Sequence, residues 1–309
     1  MQPNRRNFLR LGLLCGGFSL TGWKIRAAPA SGSADDDSVA YQTAAGKIRP
    51  LFEKKKPPGP GDWLANHKES GQTFAQYLKT NPNRGTPGRT KLYLQPIGDF
   101  SAAENSMLEK LQEFMKLFFG LEVVTLKKIS LDKIPNSARR ELPTSGVEQI
   151  LTSYVLDTIL LPGRPQDAVA VLAITPSDLW PGEGWNFVFG QASLEQRVGV
   201  WSMARFGNPD KEPAKYLRRV LQVAVHETGH MFVIRHCTAF ECCMNGSNSL
   251  DESDRTPLVY CPECDPKLWW SCKLEPASRA LALAAFANRH ALEREANQWS
   301  RIAKILDKD

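Results

Sequence analysis

At 309 residues with 42% hydrophobic content, the chain is long enough to bury a sizeable core in one or two domains. Its formal charge of +6 is concentrated in the first 30 residues, which hold Arg5, Arg6, Arg10, Lys24 and Arg26 and no acid; the remainder carries 34 bases against 33 acids, a net charge of +1. Such a near-neutral body excludes an electrostatic case for nucleic acid or an anionic membrane surface as partner.

Residues 1–30 have the form of an export leader. Arg5-Arg6-Asn7-Phe8-Leu9-Arg10 resembles the twin-arginine signal, an apolar stretch over residues 11–23 follows, and Ala28-Pro29-Ala30 offers a cleavage site. That stretch is shorter than the roughly 20 residues needed to span a bilayer. The expectation is an exported protein, periplasmic or extracellular, with no stable membrane insertion once the leader is cut. Cys15 follows Leu14 rather than the small residue that a lipid-attachment site requires.

Residues 31–89 read as a Pro/Gly-rich linker. Asp35-Asp36-Asp37, Lys54-Lys55-Lys56-Pro57-Pro58-Gly59-Pro60-Gly61 and Asn81-Pro82-Asn83-Arg84-Gly85-Thr86-Pro87-Gly88 are charged or breaker-rich runs, solvated by default. Between them, Trp63-Leu64 and Phe74-Ala75-Gln76-Tyr77-Leu78 provide a short helical segment that can dock on the main domain.

The folded domain is expected over residues 90–309. Residues 91–98 form a strand ended by breakers, and Met107, Leu108, Leu111, Phe114, Met115 and Phe118 fall at helical spacing as a core-facing stripe. Residues 121–131 read as a second strand and residues 149–161 as a second helix. Residues 168–175 are a continuous apolar run fit for a central buried strand, and residues 185–189 and 198–203 read as two more strands. Helices interleaved with strands around a mixed sheet give an α/β or α+β layered domain.

A further helix begins near Pro213. Leu217, Leu221, Ala224, Thr228 and Met231 form its packing stripe, which at 100° per residue puts His226 and His230 on the opposite side. His226-Glu227-Thr228-Gly229-His230 is an H-E-x-x-H motif: two histidines four apart on a helix, about 6 Å between their Cβ atoms, can both reach one zinc ion. Glu227 points to the flank of that face, where a carboxylate serves as general base without becoming a ligand. His236 lies too far along to share the face, so the helix must stop and the chain turn back to deliver a third imidazole. Three protein ligands leave a fourth position open, as in a catalytic zinc site.

Cys237, Cys242, Cys261 and Cys264 then form two close pairs separated by a loop, the spacing of a closed Cys₄ structural zinc site. An exported protein also invites disulfides, and Cys243 and Cys272 either pair or stay free. Asn245-Gly246-Ser247 matches a glycosylation sequon, discounted beside a metal site in an export product. Trp269-Trp270 either cover the cysteine cluster or pack under the last helix. Residues 276–307 read as one long helix, with Ala285, Leu292, Trp299 and Leu306 at every seventh position and His290 on the surface.

Taken together, the run from His226 through Cys237, Cys242 and Met244 to Cys261 and Cys264 resembles the archaemetzincins, zinc metallopeptidases with the motif H-E-x-x-H-x-x-G-x-x-H-C-x4-C-x-M followed by C-x-x-C. Residues 174–180 and 186–192 are similar to the same family, and Gly71-Gln72-Thr73-Phe74 resembles its longer, animal-like members. The resemblance covers residues 91–275. It implies a metzincin-like zincin domain with a cysteine-rich C-terminal subdomain and two Zn²⁺ per chain. His226, His230 and His236 would hold the catalytic ion, Cys237, Cys242, Cys261 and Cys264 the structural one. Met244 would lie in a methionine turn beneath the site. It implies a peptide or protein substrate, held in extended form by an edge strand, for which residues 186–192 are the candidate. One position departs from the pattern: Val233 stands where the family places the glycine of the turn. A β-branched residue at positive φ costs on the order of 1–2 kcal/mol, and a filled Cys₄ site next to His236 would compensate. Hydrolysis of peptide bonds with Glu227 as base is the leading function, and a catalytically impaired, zinc-stabilised binding protein is the alternative.

Overall fold

The computed structural model describes residues 34–307; the leader, with Cys15 and the Ala28-Pro29-Ala30 cleavage site, lies outside the described residues. The described residues begin with helix α1 (Ala34–Ile48), followed by the short helices α2 (Trp63–Asn66) and α3 (Phe74–Leu78), strand β1 (Lys91–Pro96), helix α4 (Ala102–Phe119) and strand β2 (Glu122–Thr125). Strands β3 (Arg139–Glu141) and β4 (Glu148–Leu151) come next, then a π-helical segment Tyr154–Leu160 continued by α5 (Leu161–Gly163), and strands β5 (Ala168–Thr175), β6 (Asp178–Trp180), β7 (Gly190–Ala192) and β8 (Val198–Ser202). Helices α6 (Pro213–Met231), α7 (Leu250–Arg255), α8 (Asp265–Cys272), α9 (Pro276–Arg289) and α10 (Glu293–Leu306) complete them.

The main sheet has the order β2-β1-β5-β8-β7, parallel except for its β7 edge, and a second sheet has the order β3-β4-β6. As its unbroken apolar run dictates, β5 is buried along its whole length and paired on both sides. Leu172 and Ile174 face a large core shared with α4, α6, α9 and α10; Val171 and Ala173 face a smaller core under the π-helical segment. The mixed-sheet α+β zincin-like class expected from the sequence is the one found. Among the described residues no helix is long and apolar enough to cross a membrane.

Five elements differ from expectation. Residues 34–56 are not linker: Tyr41, Ala45 and Ile48 of α1 are buried, Tyr41 packs its ring against Trp269 with centroids 6.1 Å apart, and Lys55 pairs with Glu241 at 3.1 Å. Composition shows charge, and here the charge has partners. Residues 149–161 open as β4, paired in register with β6, and turn helical only afterwards; a short apolar run does not distinguish the two. Residues 121–131 keep strand form only over β2 and rejoin the sheet edge by one bridge, Ile97 to Ile129. Residues 185–189 form a loop tied to β6 by a single bridge, Leu179 to Val188, after Gly182 and Gly184 at positive φ. The last helix is two: Ala291, at φ 55°, breaks it into the hairpin α9–α10, and His290 is half-buried against Phe286.

Candidate active site

The packing stripe of α6 is buried as expected, and His226 and His230 emerge on the other side, half-buried at the cleft floor. Each uses its Nδ1 to donate to a backbone carbonyl: His226 to Cys243 and His230 to Ile234, both at 2.8 Å. With Nδ1–H committed, Nε2 of each ring is a bare lone pair, and the two Nε2 atoms lie 3.0 Å apart. Two acceptors held that close repel unless a cation sits between them. His236 closes the set, its ring centroid 5.3 Å from that of His226 and 4.9 Å from that of His230. The ligating nitrogens of all three lie within 4.8 Å of one another, so the trio could hold one metal ion. Burial, reinforced by His236, pushes the His226 pKa down to about 4, and burial with both neighbouring imidazoles holds His230 well below its usual range. Neutral imidazole is the ligating form, so the donor set fits zinc.

Between His230 and His236 the helix ends in a Schellman turn. Ile234 N–H donates to Gly229 O at 3.1 Å and Val233 N–H to His230 O at 2.8 Å, with Val233 at φ 65°. The valine therefore does occupy the left-handed position that favours glycine, carrying about 1–2 kcal/mol of strain. His236 is fixed from outside by Glu69, whose carboxylate oxygens lie 2.9 and 3.1 Å from Nδ1, a carboxylate–histidine pairing suited to a ligand imidazole. Glu69 carried no motif in the sequence; its position relative to His236 arises only from folding.

Glu227 follows His226 on α6 and is 7% exposed, and burial alone pushes its pKa up to about 8. Its side chain lies against Gly190 at the start of β7, where an added Cβ would come within 2.7 Å of the Glu227 Cδ. Only glycine permits that approach. The edge strand β7 thus runs directly over the carboxylate, and with Val223, the three histidines and residues 184–189 it lines a cleft of about 540 Å³. The substrate-strand candidate, residues 186–192, lies at this cleft; regular β pairing is confined to Gly190–Ala192.

Beneath the cleft the Sγ atoms of Cys237, Cys242, Cys261 and Cys264 lie within 4.8 Å of one another, all buried. Hydrogen bonds from the other thiols favour a thiolate at Cys237, whereas burial and neighbouring cysteines push Cys242 and Cys261 well above the usual thiol range. Four buried thiolates this close together would repel one another, so the cluster can ionise fully only around a cation. Backbone amides of Met244 and Cys261 donate to Cys242 Sγ at 3.5 and 3.3 Å. Asn245 staples the loop, donating to Cys237 O at 2.7 Å and Phe240 O at 3.0 Å while accepting from Cys242 N at 2.9 Å; 4% exposed, it is no glycan acceptor. Met244 sits under α6 at Gly229, where an added Cβ would come within 2.7 Å of its Sδ and 2.3 Å of the Tyr260 hydroxyl. Cys243 and Cys272 are free thiols, and Cys243 serves the site through its carbonyl. Trp269 packs against Tyr41 of α1, in the same core cluster as the buried residues of α9 and α10.

The profile of peptidase family M54 matches residues 145–269, a span that contains all seven candidate metal ligands and Glu227. Archaemetzincin-2 of Rattus norvegicus is 34% identical over 254 residues, 71% of this chain and 70% of that protein. Archaemetzincin-2 of Homo sapiens is 34% identical over 264 residues, covering 74% and 71%. The crystal structure of an archaemetzincin from Methanopyrus kandleri superposes with a TM-score of 0.50 at 35% identity, covering 60% of this chain and 97% of that one. With relatives this similar over most of their length, and a fold and donor clusters to match, the chain belongs to the archaemetzincins, a family of zinc metallopeptidases.

Proposed function

We propose that this peptidase hydrolyses peptide bonds at the histidine trio, with His226, His230 and His236 holding a catalytic zinc, the four cysteines a structural zinc, and Glu227 acting as general base. The observation that carries the reading is the pair of Nε2 lone pairs 3.0 Å apart beside a buried carboxylate. Zinc, when bound, lowers the pKa of a water molecule to about 7 and polarises a substrate carbonyl. Glu227 would take a proton from the attacking water through its carboxylate as the water oxygen bonds to the carbonyl carbon, and would return it to the amine nitrogen as the C–N bond breaks, so a single group serves as base and acid in turn. A side chain that stays close to proton uptake near neutrality suits both halves of that exchange, and burial moves Glu227 in that direction. The unpaired edge of Gly190–Ala192 offers backbone N–H and C=O groups to a substrate in extended form, beside the carboxylate that must reach it.

The leader adds a location: export as a folded protein, which allows metal loading before the chain meets an oxidising compartment. Metal counting and hydrolysis of a diverse peptide library test the reading. About two zincs per chain and chelator-sensitive cleavage, reduced at least 100-fold by Glu227→Ala, are expected. Two zincs with no cleavage of any library member would instead mark a zinc-stabilised binding protein.

A further inference from the structure

We infer that the segment preceding the main sheet, residues 63–83, is a strap that builds the third-ligand turn, with Glu69 and Gln72 as positioning residues for His236. The inference rests on the reading above only in taking His236 as a metal ligand.

The last turn of α6 leaves backbone carbonyls that the helix itself cannot satisfy. Four in succession are accounted for. The carbonyl of Met231 accepts from Asn83 Nδ2 at 3.1 Å, that of Phe232 from the Tyr77 hydroxyl at 2.9 Å, that of Val233 from Gln72 Nε2 at 3.2 Å, and that of Ile234 from His230 Nδ1 at 2.8 Å. Three of these four donors belong to the strap. Gln72 does more, because its Oε1 also accepts from the Arg235 N–H at 3.3 Å. One side-chain amide therefore spans the turn from the residue at positive φ to the residue before His236. It holds Val233 in the left-handed conformation that a valine resists.

Beyond the turn, Glu69 takes over. Its carboxylate accepts from His236 Nδ1, which aims Nε2 at the other two histidines, and the Trp63 ring packs edge-on against His236 at 5.1 Å between centroids. The strap is itself anchored away from the site: Lys267 donates to the Gln72 carbonyl, and the Tyr77 and Ser271 hydroxyls share a hydrogen bond at 2.5 Å. Thr73 and Gln76 close a capping box at the start of α3, fixing the chain direction just after Gln72. In an archaemetzincin with valine at the turn, backbone freedom is thus replaced by a clamp from a distant part of the chain.

The test is a double-mutant cycle on the full chain, read as zinc affinity of the histidine site by competition with a chelator, so that it does not depend on hydrolysis. Gln72→Ala is expected to weaken that site about 10–100-fold, the usual effect of removing an outer-shell partner. In a Val233→Gly background, where glycine adopts the turn unaided, the same change should cost less than about 3-fold. Equal losses in the two backgrounds, or no loss in either, overturn the clamp. Glu69→Gln keeps shape and hydrogen bonding but removes charge, and should weaken zinc about 10-fold while shifting the visible absorption of the cobalt-substituted site, with thermal unfolding unchanged. An unaltered cobalt spectrum and affinity overturn its role, and this variant carries the test if Gln72→Ala does not fold. Strap variants that weaken zinc in a protein that cleaves no peptide would leave this inference standing and sink the proposed activity; cleavage with zinc affinity indifferent to the strap would do the reverse.

Discussion

The histidine and cysteine clusters are joined by one peptide bond, His236 to Cys237, yet they are built on opposite principles. The imidazoles are half-buried and face a cleft; their conformation is set by partners outside the cluster, the carbonyls of Cys243 and Ile234 and the carboxylate of Glu69. The thiols are fully buried and face one another, with amide donors and the Asn245 staple around them. Neutral ligands can stand pre-arranged without a cation at modest cost, whereas four buried sulfurs cannot all ionise until a cation arrives. A cleft-facing pre-arranged site suits exchange with water and substrate, and a closed one that needs its ion to exist suits folding.

That contrast is broken most severely at the cysteines. If the cluster holds the proposed structural zinc, metal binding and folding are one event there, so Cys261→Ser, which removes one thiol, should lose about one zinc per chain. Several kcal/mol against a typical stability of ~5–15 kcal/mol should lower the unfolding temperature by about 10 °C or more. Calorimetry with metal counting checks this. Retained zinc and an unchanged unfolding temperature would mean that the cluster is not a structural metal site.

The histidine site is where stability should depend on pH, and adjacent residues act with opposite sign. In protein depleted of metal at the histidines alone, His226 is held down to about 4 from an ordinary 6.5, and His230 is lowered too, both mainly by burial. Folding then favours their neutral forms, and the stability they contribute is full above about pH 6.5 and lost as pH falls toward 4. Glu227, raised by burial from 4.5 to about 8, favours its protonated form in the fold, so its contribution is full below 4.5 and lost as pH rises through 8. Asp265, raised by burial from 3.8 to about 6, acts in the same direction as Glu227 at lower pH, so the glutamate is isolated by comparing variants. Chemical denaturation across pH should show a decline in the wild-type protein between about pH 6.5 and 8 that Glu227→Gln removes. An alkaline decline that survives Glu227→Gln would assign it to another group.

Much of this site was legible in the sequence because its ligands lie in one continuous stretch. His226 and His230 are one helical turn apart, and Cys237 is the neighbour of His236, so local geometry alone brought them together. Val233 at positive φ was also readable, since the turn demands that conformation of whatever residue occupies it. Partners far along the chain were not. Glu69 approaches His236 across 167 positions, and Gln72 approaches Val233 across 161, from a region whose composition looks like linker. Ala291 repeats the lesson in the fold: it takes the left-handed turn at φ 55° with Leu292 N–H donating to Ala287 O at 2.9 Å, and without glycine there the break between α9 and α10 left no mark in the sequence. Helix ends that lack glycine are written in tertiary contacts.

The smallest expected perturbation of the fold probes the histidine cleft at its roof. Gly190→Ala would place a methyl 2.7 Å from both Cδ and Oε1 of Glu227 and 2.8 Å from its Cγ. The backbone there is not the obstacle, since no positive φ is required. The clash falls on the free end of a side chain that can swing aside, so stability should change by only about 1 kcal/mol or less. Catalysis has no such latitude, because displacing a proton-transfer group by a fraction of an ångström to 1 Å costs up to about 100-fold. A 10–100-fold fall in kcat with a smaller change in KM is expected, since the methyl meets Glu227 while the backbone N–H and C=O groups of Gly190–Ala192, the proposed substrate edge, are chemically unaltered. Full activity in Gly190→Ala would show that Glu227 does not work from the position beneath β7, and would move the search for the base elsewhere in the cleft.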